Sequence, residues 1–467
     1  MKKTFYLLIL ASLAIVGCVA TREIPLTQEP NKDFRYLAEA LKNAPMLPRE
    51  VGNVQYIDIP DTFKWAEKGY TSTAFCTPFT DLIDKVDMLA LEPIPGISIS
   101  DILDVRTDDG LLFISFRSES LLKESKDTTE YLISDRYAIF TDKGKFVALL
   151  GEPVAPSKHK VYYAGSSTSA PRQTSRNHEL QYYNVALRLN RKDKEAVLVC
   201  SESQRNLHFD YKGNYLRTTY FPFSAHPLHV NNSRGKWFVN TGDGNDNNVI
   251  LALDDSMKVK HQMVLGKGMA HNWLDRIDDD FYHMGNNYDT IWHITPEKAV
   301  ARYVLGNNLK TKPFAITRDT VAERKALPYF KVRDGEIFAN SRYLQIPIER
   351  VYDLKGKSRL SNHFFYLLDQ KTGHSICYWY HNVLHPLQHT VTLQQWMMDG
   401  LTELPYILPD GRHVRGVKAY DMKKRMAHLL DQPIADREVI ITKKDEKFVR
   451  SLLPNQMVLF FAKLKKF

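Results

Sequence analysis

The stretch "YAIFTDKGKFVALLG", Tyr137–Gly151, decides the fold, because its pattern returns four more times along the chain. In each copy an apolar strand meets a polar turn, and a second strand follows that often ends near a glycine. Two strands joined by so short a turn form an antiparallel hairpin. The other copies are "LHFDYKGNYLRTTYF" (207–221), "ILALDDSMKVKHQMVLG" (250–266), "TIWHITPEKAVARYVLG" (290–306) and "FYLLDQKTGHSICYWY" (365–380).

Two residue types mark the turns of these hairpins. Aspartate opens the turn because its carboxylate accepts hydrogen bonds from nearby backbone amides, and glycine supplies a position of positive φ. The aspartates are Asp142, Asp210, Asp254 and Asp369, and the glycines are Gly144, Gly213 and Gly373. The sequence therefore predicts a hairpin turn at each of these sites.

The spacing of the turns predicts a β-propeller. Turn centres near 144, 213, 257, 297 and 373 are separated by 69, 44, 40 and 76 residues. The two shorter steps match one blade of four strands, about 40 to 50 residues, and the longer two fit a blade with an inserted loop such as Ser157–Glu179. A large β-sandwich is the alternative. The propeller is favoured because the last strand, Asn455–Lys465, could pair with "VQYIDI" (54–59) and close a ring without raw edges.

The chain divides into three predicted parts. Residues 1–17 are a signal peptide, residues 18–50 are a lipid anchor and tether, and residues 51–467 form a six-bladed β-propeller in an all-β fold. A small helical insertion is predicted at about 383–430, where "HPLQHTVTLQQWMMDGL" and "VKAYDMKKRMAHLL" have helical spacing.

The N-terminus predicts lipidation at Cys18. Lys2 and Lys3 precede an apolar run, Phe5–Val16, that would be only about 18 Å long as a helix, too short to span a bilayer. The residues before Cys18 resemble the bacterial lipobox, whereas an ordinary secretory signal would favour a small residue in place of Ile15. Val19 then predicts delivery to the outer membrane. Attachment to the periplasmic face and attachment to the cell-surface face of that membrane are both left as alternatives.

Composition argues against nucleic acid as a partner. The formal net charge is +9 over 467 residues, and the densest basic runs, "KLKK" and "MKKRM", are short and isolated. Three cysteines besides Cys18, namely Cys76, Cys200 and Cys377, form no C-x-x-C spacing. We expect them to be small buried hydrophobes, with their disulfide state left open.

A calcium-like spacing occurs in "DGNDNNVILALD" (243–254). Asp243, Asn245 and Asn247 alternate as oxygen ligands, and Asp254 takes the twelfth position of a calcium loop. Asn248, however, stands where such a loop needs a glycine. A polar hairpin turn is the simpler interpretation, and no metal ligand is predicted here.

Histidines and aspartates cluster in two segments that could supply a funnel site. If several blades aimed them inward they could bind zinc or act as acid and base, whereas the simpler interpretation is surface or satisfied side chains. The histidines are His226, His229, His271, His283 and His293, and the aspartates are Asp275, Asp278, Asp279 and Asp280. "WMMD" (396–399) is interpreted as core or lid packing rather than as a set of ligands. The sequence predicts no catalytic residue, no cofactor and no metal.

Several of these segments resemble one family. "DTIWHITPEKAVARYVLG" (289–306), "FYLLDQKTGHSICYWY" (365–380) and "LLPNQMVLFFAKLK" (452–465) are similar to blade and closing segments of six-bladed β-propeller lipoproteins of Bacteroidetes-type bacteria. The opening "VQYIDIPDT" (54–62) with "TDLIDKVDMLALE" (80–92) is similar as well. The resemblance implies the fold over about residues 54–465 and no reaction. The chain departs from it at "GEPVAPSKHK" (151–160), where members often carry a glycine-rich loop.

Taken together, these patterns predict an outer-membrane-anchored β-propeller lipoprotein, attached through Cys18. The absence of catalytic motifs favours a binding or scaffold module for a glycan, a peptide or an envelope protein. The alternative is a metal-dependent propeller enzyme, lactonase-like or lyase-like, that uses funnel histidines and aspartates. A structural subunit of an envelope complex is a third hypothesis.

Overall fold

A computed structural model of the chain describes seventeen segments, which contain strands and five helices. They are residues 34–57, 77–124, 128–162, 174–175, 185–200, 204–221, 230–242, 247–267, 281–284, 290–305, 329–332, 338–339, 342–353, 359–379, 391–398, 406–431 and 439–466. The predicted signal peptide and Cys18 lie outside them.

Strands dominate the described residues. In chain order the first elements are α1 (Phe34–Asn43), β1 (Arg49–Ile57), β2 (Thr77–Pro78), α2 (Phe79–Leu82), β3 (Ile83–Ala90), β4 (Ser98–Asp108), β5 (Leu111–Glu124), β6 (Thr128–Thr141), β7 (Phe146–Tyr162), β8 (Thr174–Ser175), β9 (Val185–Asn190), β10 (Glu195–Cys200), β11 (Arg205–Asp210), β12 (Tyr215–Tyr220), β13 (Val230–Ser233), β14 (Lys236–Gly242), β15 (Asn247–Leu253) and β16 (Val259–Lys267). The remaining elements are β17 (Phe281–Met284), β18 (Thr290–Ile294), β19 (Ala299–Leu305), β20 (Tyr329–Val332), β21 (Phe338–Ala339), β22 (Tyr343–Asp353), β23 (Arg359–Asp369), β24 (Ser375–Trp379), β25 (Val391–Thr392), α3 (Leu393–Met398), β26 (Tyr406–Ile407), β27 (His413–Lys418), α4 (Ala419–Leu430), β28 (Val439–Ile440), α5 (Lys443–Ser451) and β29 (Met457–Leu464).

The predicted hairpin turns are present. Asp210 Oδ1 accepts hydrogen bonds from the amides two and four residues on, at 2.9 and 2.8 Å, and Asp254 caps its turn in the same way. Asp369 Oδ1 accepts from the amides two and three residues on, at 2.9 and 3.4 Å. At the first turn the hydroxyl of Thr141, not Asp142, accepts these bonds. The glycines predicted at positive φ lie there, with φ between 75° and 85°.

The sheets form a β-propeller. Within the described residues, four of them are up-and-down meanders of consecutive strands, made of β4–β8, β9–β12, β13–β16 and β17–β19. A fifth contains β20–β24, in which β22, β23 and β24 follow one another and both β20 and β21 pair with β22. We number these blades one to five in chain order. The prediction of six such blades was wrong, because the remaining large sheet is built differently.

The remaining large sheet joins the two ends of the described chain, and we call it the closing sheet. Its strand order is β26-β27-β29-β3, so three strands come from the C-terminal part and one from the N-terminal part. The predicted pairing of the last strand with "VQYIDI" was wrong: β29 pairs with β3, and Val458 faces Ala90. β1, which contains the start of that stretch, runs parallel to β19 instead, because the chain reaches blade four before it reaches the closing sheet.

The N-terminal segment lies along the outside of the ring, and we call residues 34–57 and 77–90 the belt. Its strands add to the edges of three successive sheets: β1 to β19, β2 to β24 and β3 to β29. Helix α1 rests on blade three, where the Gln262 amide donates to the carbonyls of Leu41 and Ala44 at 2.7 and 2.8 Å. Val51 and Tyr56 of β1 are more than two-thirds exposed, so this strand is an outer edge.

Each sheet packs against the next, which closes the ring. Apolar clusters join the closing sheet to blade one (Phe461 with Ile114), blade one to two (Phe113 with Leu198), blade two to three (Val197 with Val239), blade three to four (Phe238 with Ile294) and blade five to the closing sheet (Leu367 with Phe460). Between blades four and five, Tyr303 donates its hydroxyl to Gln370 Oε1 at 2.6 Å. The closing sheet therefore lies between blade one and blade five.

Helices cover the cluster between blade five and the closing sheet. Met397 and Met398 of α3 are fully buried there, as the core interpretation of "WMMD" predicts for these two residues. Cys200 and Cys377 are buried, as expected, and both are free thiols, whereas Cys76 lies outside the described residues. No helix in the described segments is both long and apolar enough to cross a membrane.

Candidate functional site

A cleft of about 340 Å³ opens at the seam between blade one and the closing sheet, and we call it the seam cleft. One wall comes from β4 and β5, through residues 100–102, Arg117 and Glu119. The other comes from β27 and α4, through residues 415–418, Asp421 and Arg425. The two walls are joined by Tyr406, whose hydroxyl donates to the Ile102 carbonyl at 3.2 Å.

Glycine brings the two walls together. Gly416 lies on β27 directly against Ile102 of β4, so that a Cβ at this position would lie only 3.0 Å from Ile102 Cβ and closer still to its Cγ1. The Met457 sulfur would lie 3.3 Å away. Because no larger residue fits this gap, the apolar floor of the cleft, formed by Ile102, Val417 and Met457, can close beneath the polar walls.

Three cationic side chains of the cleft have hydrogen-bond donors that their contacts with the described residues do not use up. Arg117 donates its Nε to Asp135 Oδ1 at 3.2 Å, and Arg425 stacks its guanidinium 5.6 Å from the Trp396 ring centre. The Lys418 ammonium lies 4.0 Å from Glu119 Oε2, which is an ion pair without a hydrogen bond. Arg415 differs, because it is buried and donates to the Met398 carbonyl at 3.0 Å, so it serves mainly to hold the wall.

Acidic and hydroxyl groups stand opposite these cations. The carboxylates of Asp101, Glu119 and Asp421 line the cleft, together with Ser100, whose hydroxyl donates to the Arg117 carbonyl at 3.1 Å. The described lining contains no histidine and no cysteine. Such a lining can both donate charge-assisted hydrogen bonds to a polar ligand, from its cations, and accept them, at its carboxylates. It offers no nucleophile with an adjacent base.

A second, much smaller cavity of about 20 Å³ lies on the other side of Tyr406. Its lining includes Asp104 and Arg106 of β4 and Phe338 of blade five. Asp104 Oδ2 accepts a hydrogen bond from Arg106 Nε at 3.0 Å, and both side chains are buried. This ion pair joins two residues of the same strand, and the space beside it holds no more than a water molecule.

A carboxylate–imidazole–hydroxyl chain lies inside blade two. Glu195 Oε2 and Thr219 Oγ1 both lie 2.8 Å from the ring nitrogens of His208, and Arg217 pairs with both carboxylate oxygens of Glu195. A carboxylate can only accept, so Nδ1 carries the proton and Nε2 accepts from the hydroxyl. Burial lowers the pKa of His208. Burial opposes ionisation of Glu195, but hydrogen bonds from Arg217 and His208 hold the pKa of its carboxyl below the usual value.

This chain ties three strands together rather than forming a site. His208 is 1% exposed and meets Trp237 of blade three edge-on, at 6.4 Å between ring centres. The sequence analysis did not single out His208, because its partners lie on β10 and β12 and no local spacing reveals them.

His413 is a second buried histidine that the sequence analysis missed. Its ring lies 5.1 Å from the ring of Phe79, and within the described segments neither ring nitrogen has a hydrogen-bond partner. Burial lowers the pKa of His413 to about 3, so the imidazole is neutral at pH 7.

Two of the five predicted histidines, His283 and His293, lie within the described residues. On the paired strands β17 and β18, His283 is the register partner of Trp292, and His293 is the register partner of Tyr282. The two histidines therefore belong to adjacent residue pairs and are not partners of each other. No group of three metal-ligating side chains occurs in the part of the chain that the structure describes. Outside that part lie His226, His229, His271, Asp243, Asn245, Asp275, Asp278, Asp279 and Asp280. Asp254, the last residue of the calcium-like spacing, caps its own hairpin turn through Oδ1.

Comparison with known proteins yields structural likenesses alone. No family model matches the chain, and no curated protein matches it. A Bacteroides fragilis protein known only as exported has 11% identity and a TM-score of 0.49, over 89% of this chain and 100% of that one. A member of the DUF4221 family from Bacteroides vulgatus has 9% identity and a TM-score of 0.34, over 82% and 98%. A streptogramin B lyase has 10% identity and a TM-score of 0.28, over 81% and 98%. At these values the likenesses carry no argument about function.

Proposed function

We propose that this protein is an outer-membrane-anchored β-propeller lipoprotein that binds a small polar ligand in the seam cleft. One observation carries the proposal: a cleft of about 340 Å³ is lined by charged side chains of both signs whose hydrogen-bonding capacity is only partly used. Ligand sites in proteins are clefts of about 300 to 1,000 Å³ with a few well-placed polar groups. Both walls belong to sheets of a closed ring, which supports a site formed in advance of binding.

The size of the cleft favours a glycan fragment or a short peptide over an envelope protein as its ligand. A stable protein partner needs about 800 Å² of surface on each side, which calls for a broad face rather than a cleft of this size. No observation in the described residues favours the metal-dependent enzyme, because the cleft lining offers neither a metal-ligand cluster nor a nucleophile with its base.

Anchoring through Cys18 is the second part of the proposal. The belt begins at Phe34, sixteen residues along the chain from Cys18, and that length of chain spans at most about 55 Å. A lipid on Cys18 would therefore hold the propeller near the membrane and leave the seam cleft free to meet ligand. Two or more acyl chains are needed for stable anchoring of this kind.

Isothermal titration calorimetry of the detergent-solubilised full-length protein tests the binding role. The panel contains neutral oligosaccharides, acidic oligosaccharides and short peptides, and we expect one class to bind and to be recovered chemically unchanged. Conversion of the bound compound to product would refute a pure binding role. Fractionation of cells that carry Cys18→Ala tests the anchor: we expect the variant to leave the membrane fraction, and retention there would contradict lipidation.

A further inference from the structure

We propose that the ligand of the seam cleft is a carboxylate-bearing saccharide. This inference rests on the proposed function and adds the chemical class of the ligand. It depends on two sets of groups that face the same space: cations suited to one carboxylate, and carboxylates suited to sugar hydroxyls.

The cationic set lies on both walls. Lys418 is the last residue of β27, Arg425 lies in the middle of α4, and both side chains line the cleft. Arg425 is held by stacking on Trp396 rather than by an ion pair among the described residues, so the edge of its guanidinium can receive a carboxylate. Arg117 uses Nε for Asp135 and retains its two terminal nitrogens on the opposite wall.

The acidic set favours a ligand that also carries hydroxyl groups over a compact dianion. Asp101, Glu119 and Asp421 line the same cleft, and their negative charges would repel a compact dianion such as phosphate. Carboxylates accept strong hydrogen bonds from hydroxyl groups, so they suit the remainder of a sugar acid. Glu119 is available for this role because its pair with Lys418 spans 4.0 Å and includes no hydrogen bond.

The shape of the cleft favours a saccharide over an acidic peptide. A peptide bound in extended form needs a strand edge along which its backbone can pair. At the cleft, β27 pairs with β26 on one side and β29 on the other, so it offers no free edge. β4 pairs with β5, so a peptide could pair only with the side of β4 that faces away from β5. The apolar floor of Ile102, Val417 and Met457 instead offers carbon surface to one face of a sugar ring.

The test compares digalacturonic acid, its dimethyl ester and the neutral disaccharide galactobiose by calorimetry on the solubilised full-length protein. We expect the acid to bind and both uncharged sugars to bind at least about tenfold more weakly, since a hydrogen bond to a charged group contributes about 1.5 to 3 kcal/mol. Lys418→Gln is expected to weaken acid binding by about tenfold or more, and Glu119→Gln to weaken all three sugars. Lys424→Gln is the matched control, because Lys424 is exposed on α4, beside Arg425, and is not part of the cleft lining.

The outcomes separate this inference from the proposed function. Equal affinity for the acid and its ester, or unchanged acid binding in Lys418→Gln, would overturn the saccharide-acid proposal. If a neutral sugar or a peptide binds and Glu119→Gln weakens it, the cleft is still the binding site and only the ligand class is wrong. If no compound binds in a way that depends on cleft residues, both proposals fail. Melting temperatures of the variants within about 2 °C of the parent show that each has folded.

Discussion

Replacement of Gly416 by alanine tests whether the seam between blade one and the closing sheet is as tight as described. The new Cβ would lie 3.0 Å from Ile102 Cβ, closer still to Ile102 Cγ1, and 3.3 Å from the Met457 sulfur. Ile102 is 3% exposed and Met457 is equally buried, so neither side chain can move out into solvent. The φ of Gly416 is not in the positive region, so the backbone itself accepts alanine and the cost is steric.

The expected loss of stability is about 1 to 2 kcal/mol. Overpacking a core position costs about 1 to 3 kcal/mol, and alanine recovers about 0.5 to 1 kcal/mol relative to glycine in a strand. The same clash pushes the two walls of the cleft apart, so we also expect weaker ligand binding.

A double-mutant cycle with Ile102→Ala gives the decisive measurement. Ile102→Ala alone should cost about 2 to 5 kcal/mol, but it removes Cγ1, the Ile102 atom nearest to the new Cβ. In urea denaturation, the double variant should therefore be more stable than the sum of the single losses by about 1 kcal/mol or more. Strict additivity, or a Gly416→Ala protein as stable as the parent, would refute the close approach of β27 to β4.

Further predictions concern four buried residues. Glu195→Gln should lower the free energy of unfolding by about 2 kcal/mol in urea denaturation, because it weakens buried charge-assisted hydrogen bonds. Glu446→Gln, in an exposed ion pair, is the control and should change the free energy of unfolding by less than about 0.5 kcal/mol. Equal effects of the two substitutions would contradict the buried network around Glu195. As pH falls below about 6.5 the unfolded chain protonates His413 before the folded chain, whose pKa is lowered to about 3. The free energy of unfolding of the parent therefore falls as the pH is lowered through this range. His413→Leu lacks this titration, so between pH 7 and pH 4.5 its free energy of unfolding should fall by about 2 to 3 kcal/mol less than that of the parent. Burial raises the pKa of the Cys200 and Cys377 thiols to about 12, so iodoacetamide should modify them only after denaturation, as peptide mass spectrometry can show.

Local features of the fold were predictable from the sequence. The turns at Asp210, Asp254 and Asp369 were found because the capping aspartate, the polar turn and the flanking apolar strands lie within fifteen residues of one another. Hairpin spacing was also enough to predict a propeller, since a blade is itself a local unit.

The way in which the ring closes was not predictable from the same patterns. β1 and β3 are similar short strands near the N-terminus, and either could pair with β29 as far as local pattern shows. The choice of β3 depends on how far the belt travels around the ring before blade one begins, and this is a long-range property.

The seam cleft was invisible to sequence reasoning for the same reason. Arg117 and Glu119 lie about 300 residues before Lys418, and only closure of the ring brings them to one space. The search for functional residues therefore followed local histidine and aspartate clusters. Lys418 and Arg425 lie in "VKAYDMKKRMAHLL" (417–430), which was predicted only to be helical, and no local signal distinguishes them from surface charge.

Selective blockage of the seam cleft tests whether the ligand binds there. In a Cys76→Ser protein, Ser100→Cys places a thiol in the cleft and Ser451→Cys places one on the exposed end of α5. Each variant is labelled with a bulky maleimide, and binding of the best compound from the panel is measured by calorimetry. The account predicts that the label at position 100 abolishes binding and the label at position 451 leaves it unchanged. Full binding with position 100 labelled would place the ligand elsewhere and contradict the account.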